Sequence, residues 1–223
     1  MDPSFSYSRI SLLDRGAVWA IAHVRGGGEL GRQWYESGKK EHKRRTFTDV
    51  VAATRHLGAR SDIDADRVVL MGGSAGGLLV GAVLNLAPEL YCGAVAAVPF
   101  VDPLTSMLMP ELPLTALEWE EWGNPLDSAE VYWTMKAYSP YENVSARDYP
   151  PILAVTSLHD TRVLYVEPAK WVAALRHENP DKREQILMRI EMAGGHGGAS
   201  GRYQQWRDNA WEDAWALERL GLA

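Results

Sequence analysis

Residues Met71–Val80 read MGGSAGGLLV. One serine, Ser74, stands among four glycines, between an apolar run of strand length (RVVLMG, Arg67–Gly72) and a run with helical character that begins near Ala75 and stops near Pro88. Gly72-Gly73-Ser74-Ala75-Gly76 satisfies G-x-S-x-G. A strand ending just before the serine and a helix starting just after it is the arrangement of a nucleophile elbow. Such a turn is so tight that its neighbours must be small. Gly72 and Gly76 are expected to let strand and helix pass, with Gly77 adding slack. The turn would also aim the backbone N–H of Ala75, at the positive end of the helix, toward a developing oxyanion. A plain strand–helix connection is the alternative. A phosphate loop is disfavoured because no Gly-Lys-Ser/Thr follows.

Strand-length apolar runs recur on both sides of this turn: AVWAIAHV (Ala17–Val24), GAVAAVPF (Gly93–Phe100), PILAVTSL (Pro151–Leu158) and EQILMRIEM (Glu184–Met192). Helical spacing connects them. FTDVVAATRHL (Phe47–Leu57) has Thr46 as its expected N-cap. VEPAKWVAALRHEN carries Pro168 in its first turn, and a last helix from Gly201 places Tyr203, Trp206, Ala210, Ala214 and Leu217 on one side. Alternating strands and helices predict a single α/β domain over residues 1–223 with a mostly parallel sheet. An excursion over residues 102–149, rich in Pro, Glu and Trp, interrupts the alternation, and loops that long are usually functional.

A serine nucleophile needs a base, and the base an orienting acid. Asp160, in SLHDTRV, follows the fourth run, and His196, in AGGHGGAS, follows the fifth. Both stand just past strand ends, where a parallel sheet gathers its active site. The order Ser, Asp, His matches the α/β-hydrolase order. Of the six histidines, only His196 has this glycine-flanked setting. A competing motif, Gly26-Gly27-Gly28-Glu29-Leu30-Gly31, satisfies G-x-G-x-x-G, with Asp49 as a ribose-binding acid. Dinucleotide binding requires a helix opening in the glycine loop and an acid ending the next strand. RQWYESGKK makes a poor immediate helix, and Asp49 falls within one.

The net charge of −6, with a single basic run, KKEHKRR (Lys39–Arg45), read as a solvated face, argues against nucleic-acid binding. The single cysteine, Cys92, excludes an internal disulfide and reads as a buried, inert thiol. The start MDPSFSYSRI has no leader pattern, and no apolar run reaches membrane-spanning length. A cytoplasmic protein without cofactor, metal or membrane association is expected.

With HVRGGGELGRQWYESGK, MGGSAGG, ALEWEEWGNP, YSPYENV, HDTRV and GGHGGASGR in this order, the chain resembles the prolyl oligopeptidase family of serine peptidases, most closely its oligopeptidase B branch. The resemblance implies an α/β-hydrolase fold, with Ser74 as nucleophile, Asp160 as acid and His196 as base. It implies cleavage of short peptides after Arg or Lys, with Glu118 and Glu120 forming the pocket for the basic side chain and Glu121 as a neighbour. Two acids spaced i, i+2 can converge on one guanidinium from a loop or short strand, and Trp119 and Trp122 are candidate walls. The alternative for these glutamates is a solvated acidic face. Arg162 matches an arginine that contacts bound peptide, its alternative being a salt bridge that shapes the Asp160 loop. Asp2 matches an acid that helps hold a second basic residue; Ser4 stands where some members have a partner acid.

The resemblance further implies a β-propeller, a tyrosine-bearing glycine loop supplying the second oxyanion donor, and a strand between Ala17–Val24 and Arg67–Gly72, all before residue 1. The chain is therefore expected to be part of a longer protein, poorly stable and weakly active alone. Other readings are a different α/β-hydrolase, an esterase or acyl-aminoacyl peptidase, and a non-catalytic binding fragment.

Overall fold

Four strands, β1 (Val69–Gly73), β2 (Gly93–Ala97), β3 (Ile152–Ser157) and β4 (Ile186–Glu191), lie side by side in the order β1-β2-β3-β4, and every pairing is parallel. The computed structural model describes residues 5–223. Asp2 and Ser4 lie outside the described residues.

The described helices are α1 (Ile10–Asp14), α2 (Arg32–Glu36), α3 (Arg44–Gly58), α4 (Ala75–Leu86), α5 (Pro103–Met107), α6 (Thr115–Trp122), α7 (Ala129–Tyr138), α8 (Val166–Glu178) and α9 (Arg202–Leu220). The strands read as continuous apolar runs because helices cover both faces of the sheet. Side chains alternate across it with the period of two that a pleated strand imposes. Ala94, Ala96, Ile152 and Ala154 join the larger core with Phe47 of α3, Val80 and Leu84 of α4, and Trp171 and Leu175 of α8. Val95 and Leu153, one residue out of phase, pack with Trp215 of α9 on the opposite face. Among the described residues no helix is long and apolar enough to cross a membrane.

Five expectations need correction. Ala17–Val24 is not a strand: it pairs with no strand among the described residues, and Val18 is 66% exposed, with Trp19 and Ile21 also exposed. A strand exists only where a neighbour takes its backbone hydrogen bonds. The 102–149 excursion is not irregular; it folds into α5, α6, α7 and a 3-10 turn at Tyr141–Asn143. Thr46 lies inside α3, and its hydroxyl donates to the carbonyls of Arg25 and Gly38 instead of capping. KKEHKRR is not a uniformly solvated face, since Lys43 is buried against Glu121 and the Trp122 ring. In α9 only the C-terminal part is buried, through Trp215, Ala216 and Leu217, while Tyr203 and Trp206 remain exposed.

The competing glycine motif has a structural role. Asp49 accepts hydrogen bonds from the backbone N–H and guanidinium of Arg25, which holds the Asp49 carboxyl below its ordinary range. RQWYE does form a helix, but one of only five residues.

Candidate active site

β1 and α4 meet at Ser74, which has φ 56° and ψ −120°. A non-glycine residue at positive φ is uncommon and strained, and survives where its surroundings fix it. Here they do. The Ser74 N–H donates to the Ala97 carbonyl at 2.9 Å, and the Ser74 carbonyl accepts from Gly77 at 2.8 Å and Phe100 at 3.1 Å. The glycines divide their work differently from the expectation. A Cβ on Gly72 would strike the Gly76 carbonyl, and one on Gly77 would lie 2.5 Å from Pro99 Cα. Gly77 is thus a tight contact and not slack, whereas a Cβ on Gly76 would meet nothing within 4 Å. Val98, beside Pro99, is a second strained residue, at φ 41°.

The loops after β3 and β4 bring the other two residues in. His196 Nδ1 lies 2.8 Å from Asp160 Oδ2. Asp160 Oδ1 accepts from the backbone N–H of Arg162 at 2.9 Å and of Val163 at 3.0 Å. The acid is fully buried and held at both oxygens, while the imidazole keeps about a fifth of its surface open. That combination fixes the ring but leaves its far nitrogen available. The Ser74 and His196 side chains face one cavity of about 140 Å³, which Ala75 also lines. No hydrogen bond joins Ser74 Oγ to His196, as is common before substrate draws such pairs together. Ala75 opens the 12-residue helix α4, where backbone N–H groups have no intrahelical acceptor.

The acidic segment does not act as a pair. It is the helix α6 and not a loop or strand, so residues i and i+2 point apart. Glu118 lines the cavity and accepts from Trp122 Nε1 at 2.8 Å. Glu120 has an 89% exposed side chain and pairs with Lys40 at 3.1 Å, away from the cavity. Glu121 accepts from Tyr35 at 2.6 Å and meets Lys43 at 3.4 Å. Burial pushes the Lys43 ammonium down from its ordinary range, and Glu121 opposes that. Trp122 walls the cavity; Trp119 instead donates to the Met107 carbonyl.

Arg162 also lines the cavity. Its backbone N–H shapes the acid loop, while its guanidinium makes no ion pair among the described residues. Two buried polar residues that sequence reasoning did not single out, Ser106 of α5 and Glu167 of α8, complete part of the wall. Nothing in their local pattern marks them, because α8 and α5 meet only in the folded chain. Among the described residues no cluster of His, Cys, Asp and Glu could hold a metal ion.

Comparison with known proteins identifies relatives of the chain. The sequence profile of the prolyl oligopeptidase family matches residues 3–223. Protease 2 of Moraxella lacunata is 49% identical over 221 residues, covering 99% of this chain and 32% of that protein. Dipeptidyl aminopeptidase BI of Pseudoxanthomonas mexicana is 50% identical over 223 residues, covering all of this chain and 31% of that protein. The oligopeptidase B structure from Leishmania major superposes with a TM-score of 0.95 at 48% identity, over all of this chain and 31% of its own. The chain thus spans about a third of the length of the relatives it matches.

Proposed function

Because this chain belongs to the prolyl oligopeptidase family, we propose that it carries the catalytic site of a serine peptidase that cleaves short peptides after Arg or Lys. In this reading Ser74 Oγ attacks the carbonyl of the scissile bond and His196 takes the serine proton. Asp160 holds the imidazole in the tautomer that can accept it and stabilises the imidazolium. The tetrahedral oxyanion faces the Ala75 N–H. His196 returns the proton to the leaving amine, and water then releases the acyl group by the same steps reversed. Arg162 holds the bound peptide. Asp2 contributes at a second basic position. A β-propeller in the longer protein would restrict substrates to short peptides, and the site of action is the cytoplasm.

The observation that carries the specificity is Glu118, half-buried in the same cavity as Ser74 and His196. A guanidinium leaving water needs a carboxylate acceptor with fixed geometry. Glu118→Gln is expected to lower kcat/KM for an Arg amide on the order of 100-fold, a charged hydrogen bond's contribution, while a simple ester of a neutral acid is spared. Glu120→Gln serves as the control and should change neither. Undiminished Arg cleavage by Glu118→Gln would overturn the assignment.

A second reading follows from the relative named dipeptidyl aminopeptidase BI. Hydrolysis that requires a free substrate N-terminus and vanishes on N-acylation would favour it.

A further inference from the structure

We propose that Glu167 is a second carboxylate of the cation pocket and, with Glu118, determines its preference for a positively charged guest side chain. This rests on the basic-residue reading above and names a partner for Glu118 that i, i+2 spacing does not supply. Glu167 lies in the first turn of α8, is only 4% exposed, and lines the cavity shared by Ser74, His196 and Glu118. Its Oε1 accepts from Ser106 Oγ at 2.7 Å and its Oε2 from the Asp102 N–H at 2.9 Å. These bonds lock the carboxylate plane and leave lone pairs over, since each carboxylate oxygen can accept twice.

Cations stand near it, Lys170 on α8 and Arg162 across the cavity, but neither is ion-paired to it. Asp102, at the start of α5, is engaged by Lys170 from the next turn of α8, and that ammonium also lies over the Tyr141 ring. Glu118 faces the cavity from α6, Arg162 from the loop after β3 and His196 from the loop after β4. Glu167 itself makes no ion pair among the described residues. Burial pushes its carboxyl up to about 7, with the Ser106 and Asp102 hydrogen bonds and Lys170 pulling the other way and the Asp102 charge adding to the rise. An isolated buried carboxylate stays partly protonated until a cation arrives. A guest guanidinium or ammonium would supply that charge and expel the proton. A carboxylate that merely ties α8 to α5 would do neither.

The test uses benzamidine, a rigid amidinium, titrated by calorimetry at pH 7 in two buffers of different ionisation enthalpy, on the purified protein. The unsubstituted protein should bind it and release protons, as follows for a carboxyl pushed up to about 7. Glu167→Gln should weaken binding at least ~10-fold and remove most of the release. Glu118→Gln should weaken binding but keep the release. Ser106→Ala, which removes one hydrogen bond to the ionised form, should move the release to higher pH. Unchanged affinity and release in Glu167→Gln would overturn the proposal; if that variant does not fold, an unmoved release profile in Ser106→Ala would overturn it. Failure of the unsubstituted protein to bind benzamidine would instead strike the basic-residue reading on which the proposal rests.

Discussion

Pro151–Leu158 and Ala17–Val24 are nearly interchangeable as sequences, yet they end in opposite structures. The first contains β3, hydrogen-bonded to β2 on one side and β4 on the other, with Ile152, Leu153 and Ala154 out of water. The second pairs with no strand among the described residues and leaves Val18, Trp19 and Ile21 exposed. Apolar content qualifies a segment for a sheet, but the neighbour decides. The consequence is functional, because a loop can hold a catalytic side chain only when the strand beneath it is fixed. Asp160 stands three residues past β3, and the loop after β4, which docks on it, carries His196.

The largest effect should come from the loop that β3 supports. Asp160→Asn is expected to lower kcat on the order of 10⁴-fold by presenting the wrong imidazole tautomer, whereas Val18→Ser should leave kcat unchanged, both read with an Arg ester. Comparable losses from the two would erase the contrast. Next comes packing. Leu153→Ala should destabilise by about 2–5 kcal/mol, since the β3 side chain leaves a cavity against Val95 and Trp215. Val18→Ala, at an exposed position, should stay within about 0.5 kcal/mol in the same denaturant titration.

Acidity sharpens the comparison further. Glu167 titrates normally at 4.5 and at about 7 when folded. Between those values the folded chain holds the extra proton, so stability falls as pH rises from 4.5 to 7 and then levels. The difference is on the order of 3 kcal/mol. Glu167→Gln should flatten that portion of the pH–stability curve; a curve with the same slope would locate the titration elsewhere. The smallest effect is expected at the unpaired segment itself. Ile21→Lys should shift stability by no more than about 0.5 kcal/mol yet reduce self-association measured by light scattering, because exposed apolar backbone invites edge pairing.

Much of this was legible in the sequence. The Gly72–Gly76 pattern and its strand and helix flanks depend on residues close in the chain, so the elbow could be read directly. Asp160 and His196 were readable because a parallel sheet places strand-following loops together. The glutamates were less so. Whether i and i+2 converge depends on backbone conformation, and the 102–149 segment, with Pro110 and Pro113 just ahead of α6, gave no clear period for that helix. Glu167 was hidden altogether, since its carboxyl meets Ser106 and Asp102 across more than sixty residues of chain. The fate of Ala17–Val24 was also beyond local pattern, being a property of what lies beside it.

The central claim, that the Ser74 elbow and the loops held by β3 and β4 make a working nucleophile, is tested most directly with a fluorophosphonate label. The account predicts a single covalent adduct that peptide mapping assigns to Ser74 and that disappears in His196→Ala. An absent adduct, or one that forms equally well without His196, would contradict it.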